Sequence, residues 1–147
     1  MEPNDVMLRR LTYGLLVDLG RPPNLDETAA AAGSSVAEVR KGWRRLHDAH
    51  ALVLDDEGFE IRMATPFSGV ATPHRVWANG RAWFANCAWD AFGICAALRA
   101  DGRMESACPD CGDVLVVDVR NEQPSERSLV FHCLVPAARW WEDIVFT

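Results

Sequence analysis

The spacing of apolar residues changes part-way along the chain, and this change limits the folds that are open to it. In the first third, apolar side chains recur every three or four residues, which is the period of an amphipathic α-helix. Three segments carry this pattern, residues 5–19, 25–32 and 36–49. Gly20 and Gly33 follow the first two, as helix ends require. The sequence therefore predicts three short helices, the first capped by Asn4 or Asp5 and the third by a capping box, Ser35 with Glu38.

After the third predicted helix, the pattern becomes that of short strands. Residues 52–54 and 59–63 are apolar-rich runs separated by an acidic turn with a glycine. Three helices followed by a hairpin predict a winged helix-turn-helix. Prolines and glycines are frequent from residue 65 to residue 80, so we predict a boundary near Met63 that separates a winged-helix-like domain, 1–63, from a second domain, 64–147. Further strands are expected at 114–119 and 129–135, which makes the fold class α+β.

The third predicted helix carries a group of cations at the place where a DNA-reading helix would hold them. They are Arg40, Lys41, Arg44 and Arg45. Two interpretations stay open, a DNA-binding surface and an ordinary solvated helix face. The net charge of −6 argues against a protein whose main partner is nucleic acid.

The stretch from Asn86 to Cys95 is the part of the chain that is best suited to chemistry. Its apolar residues have helical spacing, and Asn86 is the predicted N-cap. Cys87 would then lie in the first turn, where free backbone N–H groups and the helix dipole favour a thiolate. Asp90 follows three residues later on the same face, so its carboxyl group can approach the sulfur. The competing interpretation is that Cys87 is a small core residue and Asp90 only complements the helix dipole.

The five cysteines are an odd number in a chain without a secretory signal pattern at its start. We therefore expect thiols or metal ligands before disulfides, and a cytoplasmic location. No apolar run approaches the roughly 20 residues that cross a bilayer. Eight residues of helix place Cys95 ~12 Å from Cys87, too far for both sulfurs to bind one metal, so Cys95 is expected in the core. Cys108 and Cys111 form a Cys-x-x-Cys pattern that is compatible with a plain turn, structural zinc, a redox pair or a mercury relay.

From residue 81 onward the sequence resembles the organomercurial lyase (alkylmercury lyase) family. The signature is an aromatic-rich strand followed by Cys-Ala-x-Asp, which here is Arg81-Ala82-Trp83-Phe84-Ala85-Asn86-Cys87-Ala88-Trp89-Asp90. The weaker similarity extends through Cys108 and residues 114–119, and residues 5–63 resemble the family's winged-helix-like region. The resemblance implies that Cys87 and Asp90 act with a second cysteine further along the chain. The closest alignment expects that cysteine just after Phe146-Thr147, and Cys133, in Phe131-His132-Cys133, is the alternative in another register.

The resemblance implies cleavage of a carbon–mercury bond by protonolysis, with Cys87 as the metal-binding nucleophile and Asp90 as the proton carrier. Thiolate is the soft ligand that mercury prefers, and a carboxyl group can move the proton. An organomercurial would be the substrate, Hg(II) the bound product and small thiols its acceptors, with no cofactor required. Two alternatives stay open: a winged-helix transcription regulator that senses metals or thiol-reactive compounds, and a lyase-like protein acting on another substrate.

Overall fold

The computed structural model describes residues 2–146 and contains an α+β fold. Four α-helices and one 3₁₀-helix occur in these residues: α1 Pro3–Leu19, α2 Leu25–Ala32, α3 Val36–Asp48, α4 Ala88–Leu98 and the 3₁₀-helix Ala137–Glu142. The three N-terminal helices therefore agree with their predicted bounds to within two residues at each end. None of the helices in residues 2–146 is both long and apolar enough to cross a membrane.

The helix ends follow the local chemistry of the sequence, with two corrections. Helix α1 begins at Pro3 with Glu2 as the N-cap, so the predicted caps Asn4 and Asp5 were wrong. Proline fits the first helical position because its missing N–H would have no partner there. The reciprocal capping box belongs to α2, in which Asn24 and Glu27 satisfy each other's backbone N–H groups. At α3 only one half of the predicted box forms, in which Ser35 accepts a hydrogen bond from the Glu38 N–H.

The helices pack around a buried tryptophan. Trp43 is fully buried together with Leu16 and Leu46, and its indole N–H donates to the Thr12 hydroxyl at 3.0 Å. Because Thr12 is itself buried, this hydrogen bond satisfies two polar groups that would otherwise be costly to bury. The bond fixes α1 against α3.

A second link between α1 and α3 is an ion pair. The Arg45 guanidinium donates to both carboxylate oxygens of Asp5, with the shortest contact at 2.7 Å, and Asp5 is buried. The hydrogen bond from Arg45 holds the pKa of Asp5 below its usual value. A carboxyl group whose pKa is lower in the folded state stabilises the fold above its unfolded pKa, and this contribution is lost as the pH falls through the folded pKa.

We expect Asp5→Asn to lower the free energy of unfolding by about 1–2 kcal/mol at neutral pH, since half of the Arg45 side chain is in solvent. The difference from wild type should shrink as the pH falls below 4, where wild-type Asp5 also becomes protonated. Urea unfolding at neutral and acid pH measures both values. Asp18→Asn, an exposed position on the same helix, is the control and should change neither. A pH-independent difference for Asp5→Asn would contradict the assignment.

One antiparallel sheet runs through both halves of the chain, with the order β1-β2-β3-β5-β4-β6-β7-β8. Its strands are β1 Val53–Leu54, β2 Ile61–Ala64, β3 Phe67–Ser68, β4 Arg75–Ala78, β5 Arg81–Ala85, β6 Gly102–Ala107, β7 Val114–Arg120 and β8 Gln123–Pro124. The predicted hairpin is present as β1 and β2, but β2 also pairs with β3. The hairpin is thus the edge of the common sheet and not a separate wing. Met63, the predicted boundary, lies within β2, and the division of the chain there stays a prediction.

The predicted strand at 129–135 was wrong, because these residues form no regular element. The edge of β7 that faces away from β6 is paired with β8, and residues 129–135 do not join the sheet as a further strand. Several of its apolar side chains are exposed, among them Val130 at 90% and Leu134 at 79%. The segment contacts the body of the protein through side chains instead.

Helix α4 covers one face of the sheet. Val76, Trp83 and Met104 are in register on neighbouring strands, so their side chains share that face, and all three are buried. From α4, Ala91, Ile94 and Cys95 are buried in the same core. The placement of Cys95 in the core is therefore confirmed. This packing sets the position of the N-terminus of α4, where Cys87 and Asp90 lie.

Candidate functional site

Cys87 lies at the junction between β5 and α4. The last residue of β5, Ala85, is fixed through both of its backbone polar groups. Its N–H donates to the His74 carbonyl at 2.9 Å, and its carbonyl accepts from the Thr72 hydroxyl at 2.6 Å. Cys87 then adopts an extended conformation and is the N-cap of α4. The prediction that Asn86 is the cap was therefore wrong by one residue. Cys87 stands just before the first turn, with its thiol half-buried.

The electrostatics at Cys87 differ from those expected for an exposed helix N-terminus. The backbone N–H groups of Asp90 and Trp89 lower the pKa of the thiol, as predicted, although neither forms a capping hydrogen bond. Burial has the largest effect and raises the pKa, and the charge of Asp90 raises it further. The net result is a raised pKa of Cys87, so the predicted preference for a thiolate was wrong. Burial disfavours the Cys87 thiolate by more than the backbone N–H groups of the helix N-terminus favour it.

The side chain of Asn86, the predicted N-cap, instead holds Asp90 in the first turn of α4. The Asn86 side-chain N–H group donates to a carboxylate oxygen of Asp90 at 2.8 Å. This bond favours the ionised form, but burial has the larger effect and raises the pKa of Asp90. Both members of the pair therefore hold their protons to a higher pH than exposed groups would. These directions agree with the hypothesis that the two groups share a proton.

A second thiol lies near Cys87. The charge of Cys133 contributes to raising the pKa of Cys87, so the two sulfurs are close enough to interact electrostatically. The segment that carries Cys133 is attached beside α4 by an aromatic contact, in which the rings of Phe131 and Trp89 are tilted with centroids 5.6 Å apart. Cys133 itself is exposed. The alternative position for a second cysteine, after Phe146-Thr147, lies outside the described residues.

Helix α1 also contributes a side chain near Asp90, which the sequence analysis missed. Burial raises the pKa of the Tyr13 phenol, and the charge of Asp90 raises it further. The Tyr13 hydroxyl group contacts the carbonyls of Ala51 and Thr65 at 3.3 and 3.2 Å. The one signal in the sequence is that Tyr13 is the chain's single tyrosine. The N-terminal helices thus form part of the surroundings of the Cys87 and Asp90 pair.

Comparison with known proteins gives the family. The model of the alkylmercury lyase (MerB) family matches residues 67–147, more than half of the chain and all of the Cys87 site except the side chains from α1. The chain belongs to the alkylmercury lyase family. Among solved structures, the mercury-bound form of MerB2 has a similar fold, with a TM-score of 0.68 and 22% sequence identity. The similarity covers 86% of this chain and 60% of that protein, so the chain spans less than two thirds of its length. No curated protein matches the chain.

The Cys-x-x-Cys pattern of this alkylmercury lyase family member lies in the turn between β6 and β7. The backbone N–H groups of Cys111 and Asp110 lower the pKa of Cys108. The backbone N–H of Asp113 lowers the pKa of Cys111, but the Asp113 side chain and Cys108 raise it, and the net direction is upward. Within residues 2–146, no three or more His, Cys, Asp or Glu side chains are grouped to hold a metal ion.

The cations of α3 contact other parts of the same protein. Arg45 binds Asp5, Lys41 pairs with Glu38 at 3.2 Å, and Arg40 stacks 4.5 Å from the centre of the Phe59 ring. The Arg44 guanidinium packs against Gly58 in the β1–β2 turn. The hairpin therefore contacts two of the four cations that were considered for DNA binding, Arg40 and Arg44, of which Arg44 stays exposed. DNA recognition by α3 stays an untested prediction.

Proposed function

We propose that this protein is an organomercurial lyase, which cleaves a carbon–mercury bond to give a hydrocarbon and bound Hg(II). The observation that carries the proposal is the arrangement at the N-terminus of α4. There Cys87 is the N-cap, Asp90 lies in the first turn with its carboxylate bonded to the Asn86 amide, and the charges of Asp90 and Cys133 both act on the Cys87 thiol, in a chain of the alkylmercury lyase family. A protein of similar fold has been solved in a mercury-bound form, which supports mercury as the ligand of this site.

The chemistry requires a soft ligand and a proton carrier. As the Cys87 sulfur bonds to mercury, its proton passes to the Asp90 carboxylate. Cys133 bonds to mercury as the second sulfur ligand and displaces the anionic ligand that the organomercurial carried, which leaves with the Cys133 proton. The carbon–mercury bond then breaks, and its electron pair takes the proton from Asp90, which releases the hydrocarbon. One carboxyl group thus serves as base and then as acid. Mercury ends as a dithiolate, because thiolate is the side chain that binds soft metals most tightly.

The half-buried position of the site supports this sequence of steps. Burial raises the pKa of both Cys87 and Asp90, so a proton is retained at the site until mercury replaces it on sulfur. The Asn86 side-chain N–H donates to one Asp90 oxygen, and this bond keeps the carboxyl group near the N-terminus of α4. A bound metal ion overcomes the cost of burying a thiolate, because it neutralises the charge directly.

The partners follow from the same chemistry. The substrate is a small organomercurial, and small thiols remove Hg(II) from the two cysteines by ligand exchange. The proton, the ligands and the carboxyl group all come from the chain, so the reaction needs no resident cofactor. We propose a cytoplasmic location, since the site requires reduced thiols and that compartment maintains them.

The direct test is release of arene from an arylmercury salt. The pure protein is incubated with the salt and excess small thiol, and the arene is measured by gas or liquid chromatography. We expect arene formation well above that of the same mixture without protein. Arene release at the protein-free rate would refute the lyase assignment and leave a lyase-like protein with another substrate.

Cys133→Ser tests the second thiol. We expect slower arene release and faster loss of Hg(II) to a competing thiol, because a hydroxyl group is a poor ligand for a soft metal. Chromatography gives the first quantity and mass spectrometry of the protein gives the second. His132→Ala, at the exposed neighbouring position, is the matched control and should behave as wild type. All proteins in this comparison also carry Cys111→Ser, so that the exposed Cys108–Cys111 turn does not hold the metal. Unchanged retention of Hg(II) after Cys133→Ser would then exclude Cys133 as a ligand.

A further inference from the structure

The turn between β6 and β7 presents two thiols that the proposed reaction does not use. It is closed by two backbone hydrogen bonds of 2.9 Å, from the Cys108 N–H to the Asp113 carbonyl and from the Gly112 N–H to the Cys108 carbonyl. Gly112 has a φ of 79°, a left-handed conformation that glycine adopts without strain. The turn is therefore a defined structure in which both cysteines have fixed backbone positions.

The two thiols belong to one closed turn. Two residues separate Cys108 from Cys111, and the hydrogen bond from the Gly112 N–H to the Cys108 carbonyl folds this segment back on itself. The influence of Cys111 on the pKa of Cys108 agrees with their proximity. Cys111 is exposed and Cys108 is half-buried, so both can be reached from solvent. A pair of free thiols in one closed turn is a preformed chelating group, because the second sulfur is already at a high effective concentration when the first one binds.

The sheet register puts this pair at the same edge as Cys87. Arg75 of β4 pairs with Phe84 of β5 on one side and with Glu105 of β6 on the other. Cys87 follows Phe84 by three residues, and Cys108 follows Glu105 by three residues, with β5 and β6 running in the same direction. Strands β5 and β6 lie on either side of β4, so they are two strand spacings, about 10 Å, apart. Both cysteines therefore leave the sheet at one end.

We propose that Cys108 and Cys111 form a second, separate site for a thiophilic cation that accepts two ligands, such as Hg(II). On binding, two sulfur–mercury bonds form and the two thiol protons pass to solvent. Zinc fits less well, since structural zinc sites use four protein ligands and the turn supplies two sulfurs. Soft cations with a linear dithiolate geometry need no more than this pair. The proposal does not depend on lyase activity, because inorganic Hg(II) alone is the ligand in question.

The test uses full-length reduced protein carrying Cys87→Ser and Cys133→Ser, which removes the other accessible thiols. Cys95, the remaining cysteine, is buried. Inorganic Hg(II) is added with an excess of a small monothiol, and the bound metal is counted by native mass spectrometry and by sulfur-to-mercury absorption in the ultraviolet. We expect one Hg(II) per chain. Adding Cys111→Ser to this background should abolish retention, since a single protein thiol has no chelate advantage over the free monothiol.

Asp110→Asn in the same background is the matched control, because it changes the turn without removing a sulfur, and it should retain Hg(II). Cys108→Ser is the second test variant and should lose Hg(II) as Cys111→Ser does, with circular dichroism confirming that both remain folded. Absence of bound Hg(II) in the double-serine background would overturn the proposal. So would undiminished binding after Cys111→Ser. Neither outcome bears on arene release, so failure here is distinguishable from failure of the lyase assignment.

Discussion

Replacing Cys87 by serine is expected to reduce arene release from an arylmercury salt to the protein-free rate. The hydroxyl oxygen is a hard donor and stays protonated at neutral pH, so it neither captures the mercury nor supplies a proton to Asp90. The substitution changes one atom at an N-cap, and serine is among the best N-cap residues. We therefore expect the variant to be at least as stable as wild type while its activity is lost.

Two measurements distinguish the loss of the Cys87 thiol from a loss of folding. Thermal unfolding followed by circular dichroism should give a melting temperature for Cys87→Ser equal to or above that of wild type. Cys95→Ala removes a thiol from the same helix, at a buried position in the core, and should release arene at a rate close to wild type. Arene release by Cys87→Ser at the wild-type rate would mean that another thiol attacks the mercury.

Asp90→Asn is expected to separate binding from cleavage. The amide has the shape of the carboxyl group but cannot take a proton from a thiol and return it to carbon. General acid–base groups typically contribute about 100-fold to 10,000-fold to a rate, so we expect arene release to fall by about 100-fold or more. The thiols remain, so the variant should still bind the organomercurial. Mass spectrometry of the protein–substrate adduct and single-turnover arene release measure the two steps independently.

Asp56→Asn, in the exposed β1–β2 turn, is the carboxylate control and should change neither step. If Asp90→Asn bound the organomercurial and released arene at the wild-type rate, Asp90 would not be the proton carrier. If it failed to bind, its role would be ligation or folding of the helix end. Each result assigns Asp90 a different function, and only loss of cleavage with retained binding agrees with the mechanism.

The elements that the sequence predicted best are those with local causes. The bounds of α2 followed from helical spacing and from Gly33, which has a φ of 60° at the helix end. The β1–β2 hairpin followed from two apolar runs around an acidic turn. The short strands β3 and β8 were not predicted, because an alternation of apolar and polar residues cannot be detected in two residues. These strands are defined only by their pairing with β2 and β7. The apolar run at 129–135 had the composition of a strand, but it pairs with no strand of the sheet.

By itself, the sequence predicted where along the chain the candidate site lies and which chemistry its residue types suit. Asp90 follows Cys87 by three positions, and that spacing alone brings their side chains to one end of a helix. The family followed from the same stretch. Such predictions can be made from sequence because they depend on contacts within one turn.

The tertiary structure decided the direction in which the pKa values of Cys87 and Asp90 shift and which other side chains lie near them. Burial raises the pKa of Cys87 against the effect of the helix end, and desolvation depends on what packs around the sulfur from distant parts of the chain. Cys133 and Tyr13 approach the pair from opposite ends of the sequence, and no local pattern specifies such contacts. Sheet register, which is likewise non-local, brings the Cys108 turn to the same edge as Cys87.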